Sequence, residues 1–169
     1  MCRLKAIFPG SFDPPTLGHL ELIKRGILLF DSIIVAVLHN PSKTALFTPE
    51  ERALMLQAEV LNIPGVQVET YSGLLAEFAK KREVGYILRG IRTDADCTYE
   101  IAMAQANRKL GADNLETVLL VTNPDYGYVS ASLIRQIATA GYADENFDDK
   151  ILDQWVSPAI KNMLRNKLR

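Results

Sequence analysis

The chain reads as an α/β protein: a doubly wound sheet of five parallel strands with flanking helices. Five short β-branched runs alternate with helix-period patterns from end to end, and that order calls for right-handed βαβ crossovers. The runs lie at residues 5–8, 33–38, 66–70, 86–88 and 117–121, and several are continuous apolar stretches, as strands buried on both faces are. A length of 169 residues suits one domain, which buries roughly 70% of its unfolded surface without disulfide or metal staples.

The elements follow in order. After the first run, Leu20, Ile23, Ile27 and Phe30 recur at steps of three and four and predict one apolar helix face. After the second, Thr48-Pro49-Glu50-Glu51 spells an N-cap, a proline at the first helical position and a capping-box glutamate. Leu54, Ala58 and Leu61 are expected to continue that helix on one face until Pro64-Gly65 stops it. Leu74, Leu75, Phe78 and Ala79 predict a third helix, and Ile101, Ala104 and Arg108 a fourth. A fifth is expected over residues 132–140, closed by Gly141, and Ser157-Pro158 opens a last one over about 157–168 with Ile160 and Leu164 inside. The whole chain, 1–169, is then a single Rossmann-like domain. In such folds the ligand sits beyond the carboxyl ends of the strands, where strand order reverses, so function belongs in the loops after strands.

Composition narrows the chemistry. Lys+Arg number 19 and Asp+Glu 20, a net charge of −1, which excludes a general binder of long polyanions. Phosphates can be handled only by a few cations gathered in one place. Two cysteines, Cys2 and Cys97, make no disulfide framework and lie in no Cys/His metal cluster. The longest apolar run, residues 33–38, is far short of a membrane span, and Pro9-Gly10 interrupts the start before a signal peptide develops. The expectation is a reduced cytoplasmic protein with neither membrane nor nucleic acid as partner.

The loops after strands hold the unusual residues. The first runs Pro9-Gly10-Ser11-Phe12-Asp13-Pro14-Pro15-Thr16-Leu17-Gly18-His19 into a helix. A phosphate approaching that helix start would meet free amides and the positive dipole end, with His19 as a directed donor and Ser11 offering a hydroxyl. The plainer alternative is a Pro/Gly turn with a capping histidine. The loop is no P-loop, and no Gly-x-Gly-x-x-Gly occurs. Next, Arg89-Gly90-Ile91-Arg92 leaves the fourth strand. Guanidinium forks bind phosphate bidentately, each charge-assisted bond contributing about 1.5–3 kcal/mol, although such a pair on a loop is also ordinary solvated charge. Glu100 either pairs with these arginines or accepts from a ligand hydroxyl. His39-Asn40-Pro41-Ser42-Lys43 follows the second strand. Finally, Ser130 and Ser132, in the segment from Tyr126 to Ser132, either cap the following helix or help bind a second phosphate.

Together the first loop and its Thr16-Leu17-Gly18-His19 resemble the signature of the nucleotidylyltransferase superfamily, a (His/Thr)-x-Gly-His motif. Pro41-Ser42-Lys43, Phe47-Thr48-x-Glu50-Glu51-Arg52, Arg89-Gly90-Ile91-Arg92, Asp96-x-x-Tyr99-Glu100 and Asn107-Arg108 narrow the resemblance to bacterial phosphopantetheine adenylyltransferases, in order from about residue 4 to residue 140. The resemblance implies adenylyl transfer from ATP to 4′-phosphopantetheine, giving dephospho-coenzyme A and pyrophosphate by in-line displacement without a covalent intermediate. It implies three catalytic residues: His19 as transition-state stabiliser, with Lys43 and Arg92. Ser11, Phe12, His19, Gly90, Ile91, Arg92, Glu100, Tyr126, Gly127, Tyr128, Val129, Ser130, Ala131 and Ser132 would bind ATP. Ser11, Lys43, Leu75 and Arg89 would bind phosphopantetheine. Mg²⁺ would ride on the substrate phosphates with no protein ligand, coenzyme A would act as feedback inhibitor, and the assembly would be a homohexamer. Three positions depart from the family pattern: Ser11 for threonine, Ala131 for serine and Gln136 for glutamate. The acidic segment 142–154 is longer than the family connector and is expected to be a solvated excursion.

Two other readings stay open on the sequence. One is a different adenylyltransferase, for example one acting on nicotinate mononucleotide. The other is a non-catalytic nucleotide sensor. An assembly scaffold has no support in the sequence beyond the family's hexamers.

Overall fold

The computed structural model describes residues 4–39, 44–111 and 114–169. Five strands, β1 (Lys5–Gly10), β2 (Ser32–Leu38), β3 (Val66–Tyr71), β4 (Tyr86–Ile91) and β5 (Glu116–Val121), pair in parallel in the order β3-β2-β1-β4-β5. Among the described residues there are six α-helices: α1 (Leu17–Gly26), α2 (Pro49–Val60), α3 (Leu75–Lys81), α4 (Asp94–Gly111), α5 (Ala131–Tyr142) and α6 (Pro158–Leu168). The order reverses between β1 and β4, so the doubly wound architecture puts its crevice where the loops after those two strands face each other.

Both faces of the sheet are covered. On one, Leu20, Leu22 and Ile23 of α1 and Ala53, Leu56 and Val60 of α2 pack on Phe8, Val35 and Val37. On the other, Ala76, Phe78 and Ala79 of α3 pack on Ile7, Ala36 and Ile87. A third core joins α5 and α6 to Phe47 and Met55 through Ile134, Leu152, Trp155 and Leu164. The caps at Thr48, with its reciprocal Glu51 bond, at Ser130 and at Ser157 stand where the sequence predicts helix starts.

Several elements differ from expectation, each for a physical reason. Helix α1 stops at Gly26, and Phe30 reaches the core from the turn beyond it. In α2 the expected inward face points outward: Leu54 is 63% and Leu61 80% exposed, while Ala53, Leu56 and Val60 face the sheet. The segment holds two apolar stripes of helical spacing, and burial selects one. Helix α4 likewise turns Ile101 outward and buries Glu100 and Asn107, because Glu100 has an arginine to meet. Strand β4 continues through Arg89, Gly90 and Ile91, which keep register with Leu119, Leu120 and Val121, so these residues are strand end and not loop. Gly141 lies within α5, not beyond it; a Cβ there would stand 2.5 Å from the Phe147 ring. The acidic segment is no solvated excursion throughout. Residues 143–146 are exposed, but residues 149–154 form a 3₁₀ turn that buries Leu152 completely and leads to buried Trp155.

Gly26 is a close approach of α1 to the sheet, with an added Cβ 2.6 Å from Leu88 and 2.7 Å from Ile33, both fully buried. Alanine normally favours a helix over glycine by about 1 kcal/mol, yet overpacking costs about 1–3 kcal/mol. Gly26→Ala is therefore expected to destabilise the protein, read as a lower urea midpoint at unchanged m-value.

Candidate active site

The crevice opens because β1 and β4 pair only at Ala6 with Tyr86 and Ile7 with Ile87. Beyond that, the carbonyls of the β1–α1 loop need other partners, since a buried acceptor left unpaired costs about 1–3 kcal/mol. Side chains supply them. Arg89 of β4 donates to the Pro9 carbonyl, Arg52 of α2 to the Ser11 carbonyl and Arg135 of α5 to the Asp13 carbonyl. The loop runs with Phe12 in the left-handed region at φ +49°, its ring fully buried. Such a conformation in a bulky residue is held by its surroundings.

A cavity of about 310 Å³ lies over this loop. His19 forms part of its wall, packed edge-on against Phe12 with ring centroids 5.0 Å apart. The backbone N–H of Thr16 donates to His19 Nδ1 at 3.0 Å, and the Thr16 hydroxyl accepts from the His19 amide at 3.3 Å. A ring nitrogen that accepts a backbone N–H carries no proton, so the neutral ring places its proton on Nε2. Electrostatics agree. Burial first, then the charges of Arg92 and Arg89, push the His19 pKa down to about 4. His19 is therefore a neutral hydrogen-bond donor at physiological pH.

The arginines are oriented by carboxylates. Arg89 donates through Nε to Glu100 at 2.7 Å and through Nη2 to the other carboxylate oxygen. With Nη1 on Pro9, it keeps two of its five N–H donors for the cavity. Glu100 is 7% exposed, so this pair is held away from bulk water. Arg92 donates to Asp96 from Nε at 2.9 Å and to the Val129 carbonyl from Nη1 at 2.9 Å, joining the end of β4 to the segment before α5. The hydrogen bond from Arg92 holds the Asp96 carboxyl below its usual range. Among the described residues no group of three or more His, Cys, Asp or Glu is arranged to hold a metal ion.

The two helix starts differ from expectation. At α1 the Leu17 amide donates to the Trp155 carbonyl at 2.8 Å and the His19 amide to Thr16, which leaves the amide of Gly18 at the cavity. At α5 Ser130 caps the Leu133 amide at 3.1 Å and also lines the cavity. The amides of Ala131 and Ser132 are left without intrahelical partners on the cavity wall. The better anion cradle is therefore the start of α5.

Most of the sequence-predicted residues meet here. Ser11, Phe12, His19, Arg89, Gly90, Arg92 and Glu100 line the cavity, with Tyr126, Val129, Ser130, Ala131 and Ser132 opposite. Ile91, Gly127 and Tyr128 lie beside it without lining it. Leu75 stands apart at the start of α3, against the core beneath β1. Lys43, with Asn40, Pro41 and Ser42, lies outside the described residues. A second cavity of about 330 Å³ adjoins the first and shares Ser11 and Ser132 with it. Leu38, His39, Phe47, Arg52 and Arg135 help to line it. The sequence reading missed Leu22 and Thr122 in the first cavity. Thr122 directly follows β5, so the rule of searching the loops after strands already pointed to it.

Because the folded ring takes its proton near 4 and an unfolded one near 6.5, His19 withdraws stability as pH falls through that window and has no such effect above it. In an NMR titration the imidazole resonance lost in His19→Gln is expected to move only near pH 4, with ¹⁵N shifts of the Nε2–H tautomer at pH 7. A midpoint near 6.5 would contradict the geometry.

The chain is similar to proteins of known activity. The profile of the cytidylyltransferase-like family matches residues 7–137. A phosphopantetheine adenylyltransferase of Caldanaerobacter subterraneus subsp. tengcongensis is 49% identical over 136 residues, 80% of this chain and 84% of that one. Another, from Synechococcus elongatus, is 43% identical over 144 residues, 85% of this chain and 86% of that one. A nicotinic acid mononucleotide adenylyltransferase of Plasmodium falciparum solved with NaAD shares the fold, with TM-score 0.68 over 98% of this chain and 94% of that one, at 16% identity. The chain belongs to the cytidylyltransferase-like family and, within it, to the phosphopantetheine adenylyltransferases.

Proposed function

We propose that this chain transfers the adenylyl group of ATP to 4′-phosphopantetheine, releasing pyrophosphate and dephospho-coenzyme A. The observation that carries this reading is the pair of adjoining cavities sharing Ser11 and Ser132, with His19 and two oriented arginines on one of them. Two substrates seated in those cavities meet at Ser11. A phosphate oxygen of the acceptor attacks the α-phosphorus of ATP, the bond from that phosphorus to the β-bridging oxygen breaks, and pyrophosphate leaves. The attacking oxygen is already anionic, so the chain supplies alignment and cover for charge in place of a base.

We assign the roles from the geometry where it is described and from the family resemblance elsewhere. His19 offers its Nε2–H to the reacting phosphate, and the Ala131 and Ser132 amides receive the distal phosphates of ATP, which enters as its magnesium complex. Arg92 contributes charge from the opposite wall. Arg89, aimed by Glu100, takes the acceptor phosphate; Lys43 as its companion and Leu75 along the pantetheine arm are assigned on the family resemblance alone. We assign the reaction to the cytoplasm, and coenzyme A, which repeats the pantetheine and adenylate halves of the product, to feedback inhibition at the same site. We also propose a homohexamer. Tyr99, Ile101, Met103 and Leu110 stand exposed on α4 beside edge strand β5, whose Val121 is 66% exposed.

Pyrophosphate release is expected with 4′-phosphopantetheine and not with nicotinate mononucleotide, the product being identified by mass; adenylylation of the mononucleotide alone would overturn the reading. His19→Ala should lower kcat by about 10²–10³ while remaining folded, the usual loss for a transition-state donor. Light scattering should return six times the chain mass, and a charged residue in place of Ile101 should shift it to smaller species.

A further inference from the structure

We propose that Arg52 and Arg135, acting with Asp13, are positioning residues for the transfer: although both line the second cavity, they act by setting where Ser11 stands between the two cavities and not as ligands of either substrate. The inference rests on the adenylyl-transfer reading of the site.

Asp13 is 2% exposed, on the loop between Ser11 and the start of α1. Its carboxylate accepts the amides of Leu46 and Phe47, both at 3.0 Å, and faces Arg135 at 3.2 Å. The guanidinium of Arg135 also donates to the Asp13 carbonyl and, at 3.3 Å, to the Ser132 hydroxyl. Arg52, likewise 2% exposed, donates to the Thr48 carbonyl at 3.2 Å and to the Ser11 carbonyl. The Asp13–Arg135 pair and buried Arg52 thus fix three backbone segments against one another: the β1–α1 loop, the approach to α2 and the first turn of α5.

These segments form the shared wall of the two cavities, where Ser11 and Ser132 stand. Burying the Arg52 guanidinium and the Asp13 carboxylate, with Arg135 partly withdrawn from water, is costly unless each is paired, and here the pairing goes mainly to backbone carbonyls and amides. An apolar core would hold the segments as firmly, but a planar guanidinium also fixes direction, because its N–H bonds are rigidly splayed. Direction matters for a displacement governed by alignment, in which a misplacement of 1 Å can cost on the order of 10²-fold. Lysine keeps the charge and loses the fork. It reaches one carbonyl and leaves the second partner slack.

Arg52→Lys and Arg135→Lys test this. Each variant is compared with the parent in three measurements: thermal unfolding, binding of ATP alone and of 4′-phosphopantetheine alone by calorimetry, and kcat for pyrophosphate release. The expected result is a kcat at least tenfold lower for each, with both single-substrate affinities within threefold of the parent. A kcat within threefold of the parent in the folded variants overturns the proposal and leaves a structural role. So does a loss of affinity for one substrate as large as the loss of turnover, which would make the arginine a ligand contact. Should Arg52→Lys not fold, Arg135→Lys, whose side chain is 26% exposed, decides the matter by the same criteria. A parent that releases no pyrophosphate with either substrate pair would instead overturn the adenylyl-transfer reading.

Discussion

Three carbonyls on alternate residues of one loop, those of Pro9, Ser11 and Asp13, each accept from an arginine of a different element. Everything about the site follows from the need for those three bonds. A parallel sheet whose order reverses must leave the ends of its two central strands without ladder partners on one side, and the loop that crosses the gap carries backbone acceptors into it. Water would satisfy them and flood the crevice. Guanidiniums from β4, α2 and α5 satisfy them instead and bring positive charge to the same place.

The same arrangement explains a net charge of −1 in a protein that handles phosphates. Arg89 meets Glu100, Arg92 meets Asp96 and Arg135 meets Asp13. The carboxylates cancel charge at long range and leave particular N–H bonds pointing where they are wanted. The field near the cavity is thus built from oriented donors more than from excess cations, a form of preorganisation that costs no rearrangement during reaction. His19 belongs to the same scheme: its ring is neutral, its tautomer is set by Thr16, and it adds direction without charge.

Much of this was legible in the sequence, and the rest fails for identifiable reasons. The alternation of strands and helices and the cap at Thr48 follow from local signals, because each needs only neighbours in sequence, and the rule that ligands sit beyond the carboxyl ends of the strands gathers His19, Arg89 and Arg92. The inward face of α2 does not: Leu54–Leu61 and Ala53–Val60 spacings are equally helical, and only the sheet decides between them. Arg52 and Asp13 stand in the sequence only as members of motifs, and nothing there marks them as buried, a rare state for residues of these types. Their roles depend on carbonyls and amides up to 41 positions away in the chain, which no local pattern reports. The capping of α1 by Trp155 is more distant still. It also explains why a helix start that looks open to phosphate offers so few free amides.

That carbonyl has a consequence for how the molecule is made. The loop of residues 10–19 is synthesised well before its partners: one amide of its helix waits for an acceptor at Trp155, and the core under α5 waits for Leu152, Ile160 and Leu164. During synthesis at about 5–20 residues per second, all five strands emerge before those partners do. Segments far apart in the chain close the active site together, so the strands of the sheet are made before the site can be completed.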